Sequence, residues 1–448
     1  MNIVIATPPG LLDNGKYLMH FPSRDDWVGE FPPGTKYYPY ELAYLSTLLK
    51  RETEHSVTML DGCMTLDGSH EYTKQIREHE PDLLIMESGH LPYETVTGVM
   101  QRVNAKESIL CGPIATAFPD KVINDGWMPI KGEFEKQILD YLILGKIHHD
   151  YKEYIDLDWL PFPEDDDIHR IAYFDMACLS DGVIQMYASR GCPMACDYCT
   201  VPLYYGGHCC SRKSYRMRNP DRVCDEIESL IEKYGALVQG FFFNGETHNA
   251  SRGKLKQLAQ TIIDRGLNTY DFDAMCGSWG WTEDMVKLIA RAGYKLLRIG
   301  IETLDEETER GIDKWQRVPH RLMQLLEWCK EYGIYVHGTT MIGLPGATQD
   351  SDMRTLDILL GMKADGYLKT MQHSPATPNP GTPFYFKAKK NGWLTSDDWN
   401  DYHWQNVVIS YPEYTKEQIE AVRKAYYLLR SPIFRGNDGN IYTQVRAR

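Results

Sequence analysis

The sequence predicts an α/β protein in which two stretches of alternating strands and helices follow one another along the chain. In residues 1–145 the alternation has the pattern of an open parallel sheet. In residues 183–390 it recurs as six strand–helix units, which fits a partial parallel barrel. Residues 146–182 show no helical or strand period and are predicted as a linker, and residues 391–448 are predicted as a small helical extension.

The strands of the first stretch are predicted from short apolar runs that end in turn-forming residues. They cover residues 3–6, 56–60, 83–86 and 108–111, and helices are predicted at 40–52, 72–79, 94–103 and 133–144. Ligands of open parallel sheets bind beyond the carboxyl ends of the strands. The candidate binding residues of this stretch are therefore those that follow the four strands: Pro9, Gly10, Asp61, Gly62, Ser88, Gly89, Gly112 and Pro113.

The second stretch is read in the same way. Its strands are predicted at 183–186, 237–243, 271–275, 295–301, 335–342 and 367–371, and its helices at 220–234, 255–265, 282–292, 320–332 and 351–362. Helix 220–234 has the clearest pattern, with Val223, Ile227 and Leu230 at helical spacing and Pro220 near its start. Residues 416–430 carry the helical spacing that predicts the C-terminal extension.

Composition and charge restrict the function. The net charge of −14 argues against nonspecific duplex binding, which needs a basic face, although the run of Arg212, Lys213, Arg216 and Arg218 is a candidate for a local basic groove. The acidic run 164–167 is expected to be solvated. The sequence contains no apolar run of about 18 residues, so no membrane span is predicted. No signal peptide is predicted either. Eleven cysteines, an odd number, fit a reducing compartment, so we expect a cytoplasmic protein.

Three cysteines directly after the first barrel strand form the most informative motif. Cys192, Cys196 and Cys199 have C-x3-C-x2-C spacing in a loop that brings three thiolates to one point, as one [4Fe–4S] cluster requires. Three thiolates leave one iron open to a small ligand. The alternative is structural zinc with Cys209 or Cys210 as fourth ligand. Zinc sites usually pair C-x2-C units, and no second pair follows at that spacing.

With Tyr198 before the last cysteine and a strand before the loop, this motif resembles that of the radical S-adenosylmethionine (SAM) superfamily. The resemblance implies that the three cysteines hold a [4Fe–4S] cluster and that SAM binds to the open iron. The segments Gly343–Gly346 and Pro378–Pro383 resemble turns of the same superfamily. The SAM-binding residues that the resemblance implies are Tyr198, Asn244, Gly245 and Glu246 (methionine ammonium), Glu302 (ribose), and Arg310 and Lys314 (carboxylate).

The first stretch resembles the Rossmann-like cobalamin-binding domain that precedes the barrel in one branch of that superfamily, the class B methyltransferases. The resemblance rests on the order of elements, the Gly112-Pro113 corner, the segment Lys131–Glu135 and the segment Leu160–Pro163. It implies that the eight residues after the strands contact cobalamin. The first strand–helix loop lacks the Asp-x-His-x-x-Gly motif, so either cobalt is held without a protein histidine or the module binds no corrinoid.

The function that the resemblance implies is C-methylation of an unactivated carbon through a 5′-deoxyadenosyl radical and methylcobalamin. Cyclisation, rearrangement or oxidation by a radical SAM enzyme, with or without cobalamin, is the alternative, and a zinc-stabilised α/β binding protein is the non-enzymatic one. The expected partners are a small-molecule or peptide substrate and a one-electron reductant such as flavodoxin or ferredoxin, without a membrane or bulk nucleic acid. No residue that acts on the substrate can be identified.

Overall fold

The computed structural model describes residues 1–21, 23, 26–146, 154–205, 214–312, 314, 318–436 and 439–443. Within them, the N-terminal part contains a parallel sheet of five strands in the order β4-β1-β5-β6-β7. Its elements are β1 (Asn2–Ala6), β2 (Tyr17–Met19), β3 (Trp27–Gly29), α1 (Tyr40–Glu52), β4 (Ser56–Leu60), α2 (Gly62–Thr65), α3 (Ser69–Glu78), β5 (Leu83–Glu87), α4 (Tyr93–Val103), β6 (Glu107–Cys111), α5 (Pro113–Ala117), α6 (Pro119–Asn124), β7 (Met128–Pro129) and α7 (Glu135–Leu144).

This sheet is covered by helices on both faces. Because side chains alternate along a strand, Ile3 and Ile5 of β1 pack with helices α1 and α7, whereas Val4 and Ala6 pack with α3 and α4. Burial on both faces explains why β1 and β5 have continuous apolar sequences. The carboxyl ends of the strands therefore form one edge between two helical layers.

The second part is a parallel sheet of six strands, among the described residues, in the order β8-β11-β12-β13-β14-β15. Its elements are β8 (Val183–Met186), β9 (Ser189–Arg190), α8 (Val201–Tyr204), β10 (Arg216–Met217), α9 (Pro220–Tyr234), β11 (Gly240–Phe243), α10 (Arg252–Asp264), β12 (Asp271–Cys276), α11 (Glu283–Arg291), β13 (Tyr294–Glu302), α12 (Glu306–Gly311), α13 (Val318–Glu331), β14 (Tyr335–Ile342), α14 (Gln349–Ala364), β15 (Thr370–Pro375) and α15 (Pro383–Lys390). The α/β fold class and the six strand–helix units are confirmed.

Two barrel strands begin three residues after their predicted starts. Strand β11 begins at Gly240 and not at residue 237, because Gly235–Leu237 form a turn of 3-10 helix. Strand β15 begins at Thr370, three residues after the predicted start, because residues 365–367 complete the end of α14. Gly366 has a φ of +75°, and the Tyr367 amide donates to the Met362 carbonyl at 2.9 Å. The hairpin β2–β3 and the short strand β7 were not predicted.

The segment that joins the two sheets is packed against both of them. Ile155, Leu157 and Leu160 belong to the apolar core that includes β1 and α1. The acidic run 164–167 was expected in solvent, but Glu164 is only 3% exposed. Its carboxylate accepts hydrogen bonds from Ser46 and Lys50, which hold its pKa at about 2. The predicted boundaries of the domains and the linker stay predictions.

The C-terminal extension contains α16 (Lys416–Tyr426), β16 (Ile433–Arg435) and β17 (Ile441–Thr443). Helix α16 packs on the outside of the barrel through Ile419, Val422 and Tyr426. Ahead of it, the chain crosses to the first sheet, where the Tyr402 carbonyl lies 2.7 Å from His90 Nε2. None of the described helices is both long and apolar enough to cross a membrane.

Candidate functional site

The cysteine loop begins at a sharp turn beyond strand β8. Strand β9 pairs with β10, and Gly191 then takes a φ of +83°. A Cβ at Gly191 would lie 2.3 Å from the Ser214 carbonyl oxygen, so only glycine fits this close approach. The turn directs the following residues, Cys192 to Cys199, to the carboxyl edge of the barrel.

The three cysteines lie in this loop; each residue as a whole is partly exposed, but its thiol is surrounded by protein atoms. The Cys199 amide donates to the Cys196 carbonyl at 3.0 Å, and Thr247 Oγ1 donates to Cys192 Sγ at 3.1 Å. Burial raises the pKa of all three thiols, while the Lys314 ammonium lowers the pKa of Cys192 and Cys196. Buried thiols ionise when a cation offsets the lost hydration, and the irons of a cluster supply that charge. The donor set therefore fits such a cluster.

The spacing of these ligands also bears on the metal. Among the residues that the structure describes, no group of three or more His, Cys, Asp or Glu side chains is arranged as a site for a single metal ion. In a [4Fe–4S] cluster each thiolate binds a different iron. Cys209 and Cys210, the candidate fourth zinc ligands, lie outside the described residues.

The segment Asn244-Gly245-Glu246 follows β11 and lies against the start of the cysteine loop. A Cβ at Gly245 would lie 2.5 Å from the Ser189 carbonyl oxygen, which explains the glycine. Glu246 Oε2 accepts a hydrogen bond from the Gly191 amide at 2.9 Å. Asn244 is buried, with its Nδ2 3.3 Å from Gln185 Oε1. Glu246 is thus the side chain of this segment that reaches the cysteine turn.

Glu302 lies at a distorted point at the end of β13. The register with β14 shifts between Gly300 and Glu302, which indicates a bulge, and Glu302 has a φ of +59°. Left-handed backbone at a residue with a side chain costs about 1–2 kcal/mol, and such strain concentrates at functional sites. Its Oε1 accepts from Lys314 Nζ at 2.9 Å. The negative charge of Glu302 raises the pKa of Cys196 and of Tyr198, so this carboxylate lies near the cysteine loop.

The two cationic candidates lie in different environments. Lys314 is 2% exposed, and its Nζ also donates to the Gly300 carbonyl at 2.8 Å. Arg310 is exposed on α12 and its Nε donates to the Glu306 carbonyl of its own helix. Tyr198 joins the site, because its hydroxyl interacts with the Cys196 thiol. The structure therefore brings Lys314, but not Arg310, to the carboxylate and thiol groups.

The eight candidate residues of the first sheet also share one edge, and all eight are buried. The hairpin β2–β3 covers them, with Leu12, Leu18 and Val28 packed against Leu91. A Cβ at Gly89 would lie 2.0 Å from Asp26 Oδ2, and a Cβ at Gly10 would lie 2.7 Å from the Gly62 carbonyl oxygen.

The space beneath this hairpin is small. A cavity lined by Leu18, His20, Asp61 and Cys63, among others, has a volume of about 10 Å³. That is room for about one water molecule. In this conformation the eight residues contact protein atoms and do not form an open cradle for a corrinoid.

Several polar contacts between the two sheets were not found from the sequence. Arg190 Nη1 lies 2.8 Å from Glu135 Oε1, and Arg216 Nη1 donates to Glu133 Oε2 at 2.8 Å. Glu133 and Glu135 belong to the segment Lys131–Glu135. That segment was therefore the sequence signal from which these contacts could have been inferred. Arg218 pairs with buried Glu226. The described arginines of the predicted basic run are thus engaged inside the protein; Arg212 and Lys213 lie outside the described residues.

Comparison with known proteins agrees with this geometry. Residues 186–359 match the family model of the radical SAM superfamily. A protein of Pyrococcus horikoshii named as an uncharacterized methyltransferase is 25% identical over 425 residues, which are 88% of this chain and 88% of that protein. The bacteriochlorophyllide d C-12(1)-methyltransferase of Chlorobaculum tepidum is 24% identical over 220 residues, 49% of this chain and 45% of that protein.

The fold has solved counterparts. The radical SAM methyltransferase TsrM from Kitasatospora setae is 16% identical, with a TM-score of 0.65 over 88% of this chain and 77% of that one. The same protein has been solved with cobalamin and a [4Fe–4S] cluster bound. Residues 186–359 of this chain are therefore a radical SAM domain. The whole fold, in which a Rossmann-like sheet precedes the barrel, is similar to that of TsrM.

Proposed function

We propose that this radical SAM enzyme is a cobalamin-dependent methyltransferase that acts on a carbon atom of a small molecule or peptide. The observation that carries the proposal is the meeting of the three cysteines, Glu246 and the Glu302–Lys314 pair at one edge of the barrel. Two relatives, one aligned with 88% of this chain and the other with 49% of it, are named as methyltransferases.

Each residue of this edge has a role in the proposal. Cys192, Cys196 and Cys199 hold the cluster, which when bound supplies the electron that starts radical chemistry on SAM. Glu246 accepts hydrogen bonds from the methionine ammonium, because one of its oxygens is already fixed by the Gly191 amide.

The pair at the end of β13 completes the SAM site in this proposal. Lys314 directs two of its three N–H groups to Gly300 and Glu302, and we assign the third to the SAM carboxylate. Glu302 then accepts from the ribose hydroxyls. Arg310, on the solvent side of α12, has no part in this assignment.

The shared fold is the reason for including cobalamin in the proposal, since TsrM has been solved with cobalamin bound. The eight strand-end residues of the first sheet are packed against protein atoms and do not fit a corrinoid in the present conformation. We propose that a flavodoxin- or ferredoxin-like protein supplies electrons and that the reaction takes place in the cytoplasm.

The test is the metal content of protein purified without oxygen from cells supplied with cobalamin. We expect about four irons, as a cubane cluster requires, and about one cobalt per chain. Cys196→Ser should lose the iron and the cleavage of SAM. Cys63→Ser is the matched control, because Cys63 lies in the first sheet and its thiol donates to the Pro8 carbonyl, which a serine can also do.

The outcomes separate the alternatives. Iron without cobalt would refute the cobalamin-dependent reading and favour the alternatives of cyclisation, rearrangement or oxidation. The cyclisation alternative has relatives, since an anaerobic magnesium-protoporphyrin IX monomethyl ester cyclase of Cereibacter sphaeroides is 23% identical over 390 residues. Zinc alone, or SAM cleavage by Cys196→Ser, would refute the radical SAM site.

A further inference from the structure

A tyrosine from the end of the cysteine loop connects the two sheets. Tyr205 follows α8, and its hydroxyl lies 2.8 Å from Glu246 Oε1 in the barrel. The same hydroxyl lies 2.9 Å from Glu41 Oε1, on helix α1 of the first sheet. Tyr205 is 3% exposed and Glu41 is 4% exposed, so both hydrogen bonds are shielded from water.

Counting protons determines the direction of these bonds. A phenol has one O–H group and can donate to one carboxylate only, while an ionised carboxylate can only accept. Two contacts between one hydroxyl and two carboxyl oxygens therefore need a second proton, which one of the carboxyl groups must carry. The Gly191 amide donates to Glu246 Oε2 and so stabilises negative charge on Glu246, which is only partly buried. Glu41 is almost completely buried, and burial favours the neutral form of a carboxyl group. The second proton therefore belongs on Glu41.

The charges around Glu41 agree with this assignment. Arg190, the cation that lowers the pKa of Glu41, is engaged by Glu135 at 2.8 Å and by Glu133 at 3.5 Å. Glu87, Glu246 and Glu135 add negative potential, and burial adds the larger effect, so the pKa of Glu41 is raised to about 8. Glu87, in turn, accepts from the neighbouring Tyr204.

We propose that Glu41 and Tyr205 are positioning residues of the SAM site: the protonated Glu41 carboxyl donates to Tyr205, and Tyr205 donates to Glu246. This relay fixes the orientation of Glu246, so that its remaining lone pairs accept from the ammonium of SAM. The first sheet thereby contributes to SAM affinity without touching SAM. The inference rests on the proposed role of Glu246.

The first test measures SAM binding by equilibrium dialysis with anaerobically prepared holoenzyme. Tyr205→Phe should weaken binding by about tenfold, because a hydrogen bond to a charged group is lost. Tyr204→Phe is the matched control: it removes a buried hydroxyl–carboxylate contact from the adjacent residue that does not involve Glu246. Its SAM affinity should stay within about twofold of the wild type.

Two variants of Glu41 distinguish a relay from simple packing. Glu41→Gln keeps a donor, since its amide N–H can replace the carboxyl O–H, and should preserve SAM affinity. Glu41→Ala should weaken SAM binding several-fold. Equal weakening in the two variants would overturn the relay.

A readout without any cofactor tests the proton itself. The infrared spectrum of the metal-free protein at neutral pH should contain the carbonyl stretch of a protonated carboxyl group that Glu41→Gln removes. A spectrum without that difference would overturn the inference, as would normal SAM affinity in Tyr205→Phe. Wild-type protein that binds no SAM would instead refute the proposed function.

Discussion

Replacing Arg190 with methionine is expected to destabilise the protein by about 3–5 kcal/mol, because it leaves a buried carboxylate without its cation. The Arg190 side chain is 1% exposed and that of Glu135 is not exposed at all. Methionine retains most of the length of the side chain but removes the charge. Glu133 is affected less, since it keeps its bonds to Arg216.

The loss should depend on pH. Burial raises the pKa of Glu135 above its usual value, and removal of Arg190 raises it further. A carboxyl whose folded pKa exceeds its unfolded pKa stabilises the native state less as pH rises between the two values. The free energy of unfolding that Arg190→Met loses relative to the wild type should therefore be larger at pH 8 than at pH 5.5.

Urea unfolding followed by circular dichroism at both pH values measures this loss, with separate transitions fitted where they occur. Arg190→Met combined with Glu135→Gln should recover part of the stability, because an amide needs no cation. Arg51→Met is the control, since the Arg51–Glu52 pair is solvent-exposed and should contribute about 1 kcal/mol or less. A loss below about 1 kcal/mol for Arg190→Met would refute the reasoning.

Three further predictions concern single positions. Glu302→Gly and Glu302→Ala should both weaken SAM binding and leave the iron content unchanged. The glycine variant should be more stable than the alanine variant by about 1 kcal/mol, because glycine adopts the φ of +59° without strain. Equal stability of the two variants would contradict the inferred backbone strain. Gly245→Ala should reduce iron retention, since its Cβ would approach Ser189, whereas Gly253→Ala, with no atom within 4 Å, should not; retained iron in Gly245→Ala would show that the loop adapts. Burial raises the pKa of Asp352 to about 7. Asp352→Asn should therefore be more stable than the wild type at pH 8, by up to a few kcal/mol, and this advantage should be smaller at pH 5. Parallel pH profiles of the unfolding free energy of the two proteins would disprove this prediction.

Elements with a complete local pattern were predictable from the sequence. Strand β8 and helix α9 have the predicted bounds, because their apolar residues face one continuous core. The hairpin β2–β3 has only three residues in each strand, which is too short for a recognisable strand pattern. Its packing on Leu91, a contact distant in sequence, stabilises it.

The residues of the candidate site that lie at the ends of strands were predictable from the sequence, and those farther from strand ends were not. The cysteines and Glu246 follow strands of one parallel sheet, and Glu302 is the last residue of another strand of that sheet, so the topology brings them together. Lys314 and Arg310 were not distinguishable, because the choice depends on which side chain turns inward. The contact of Glu41 with Tyr205 joins residues 164 positions apart, and no local pattern encodes such a pair.

The cysteine loop has its own place in the order of synthesis. Tyr187, Tyr204 and Tyr205 belong to the apolar core of the first sheet, and Cys192 and Cys199 pack against that core. The ribosome releases residues 1–145 before the loop, and domains generally fold as they emerge. Most of the surface against which the loop packs is therefore synthesised before the loop. We expect a barrel produced without residues 1–145 to expose Cys192 and Cys199 more fully to solvent, because the core that these cysteines contact would be missing.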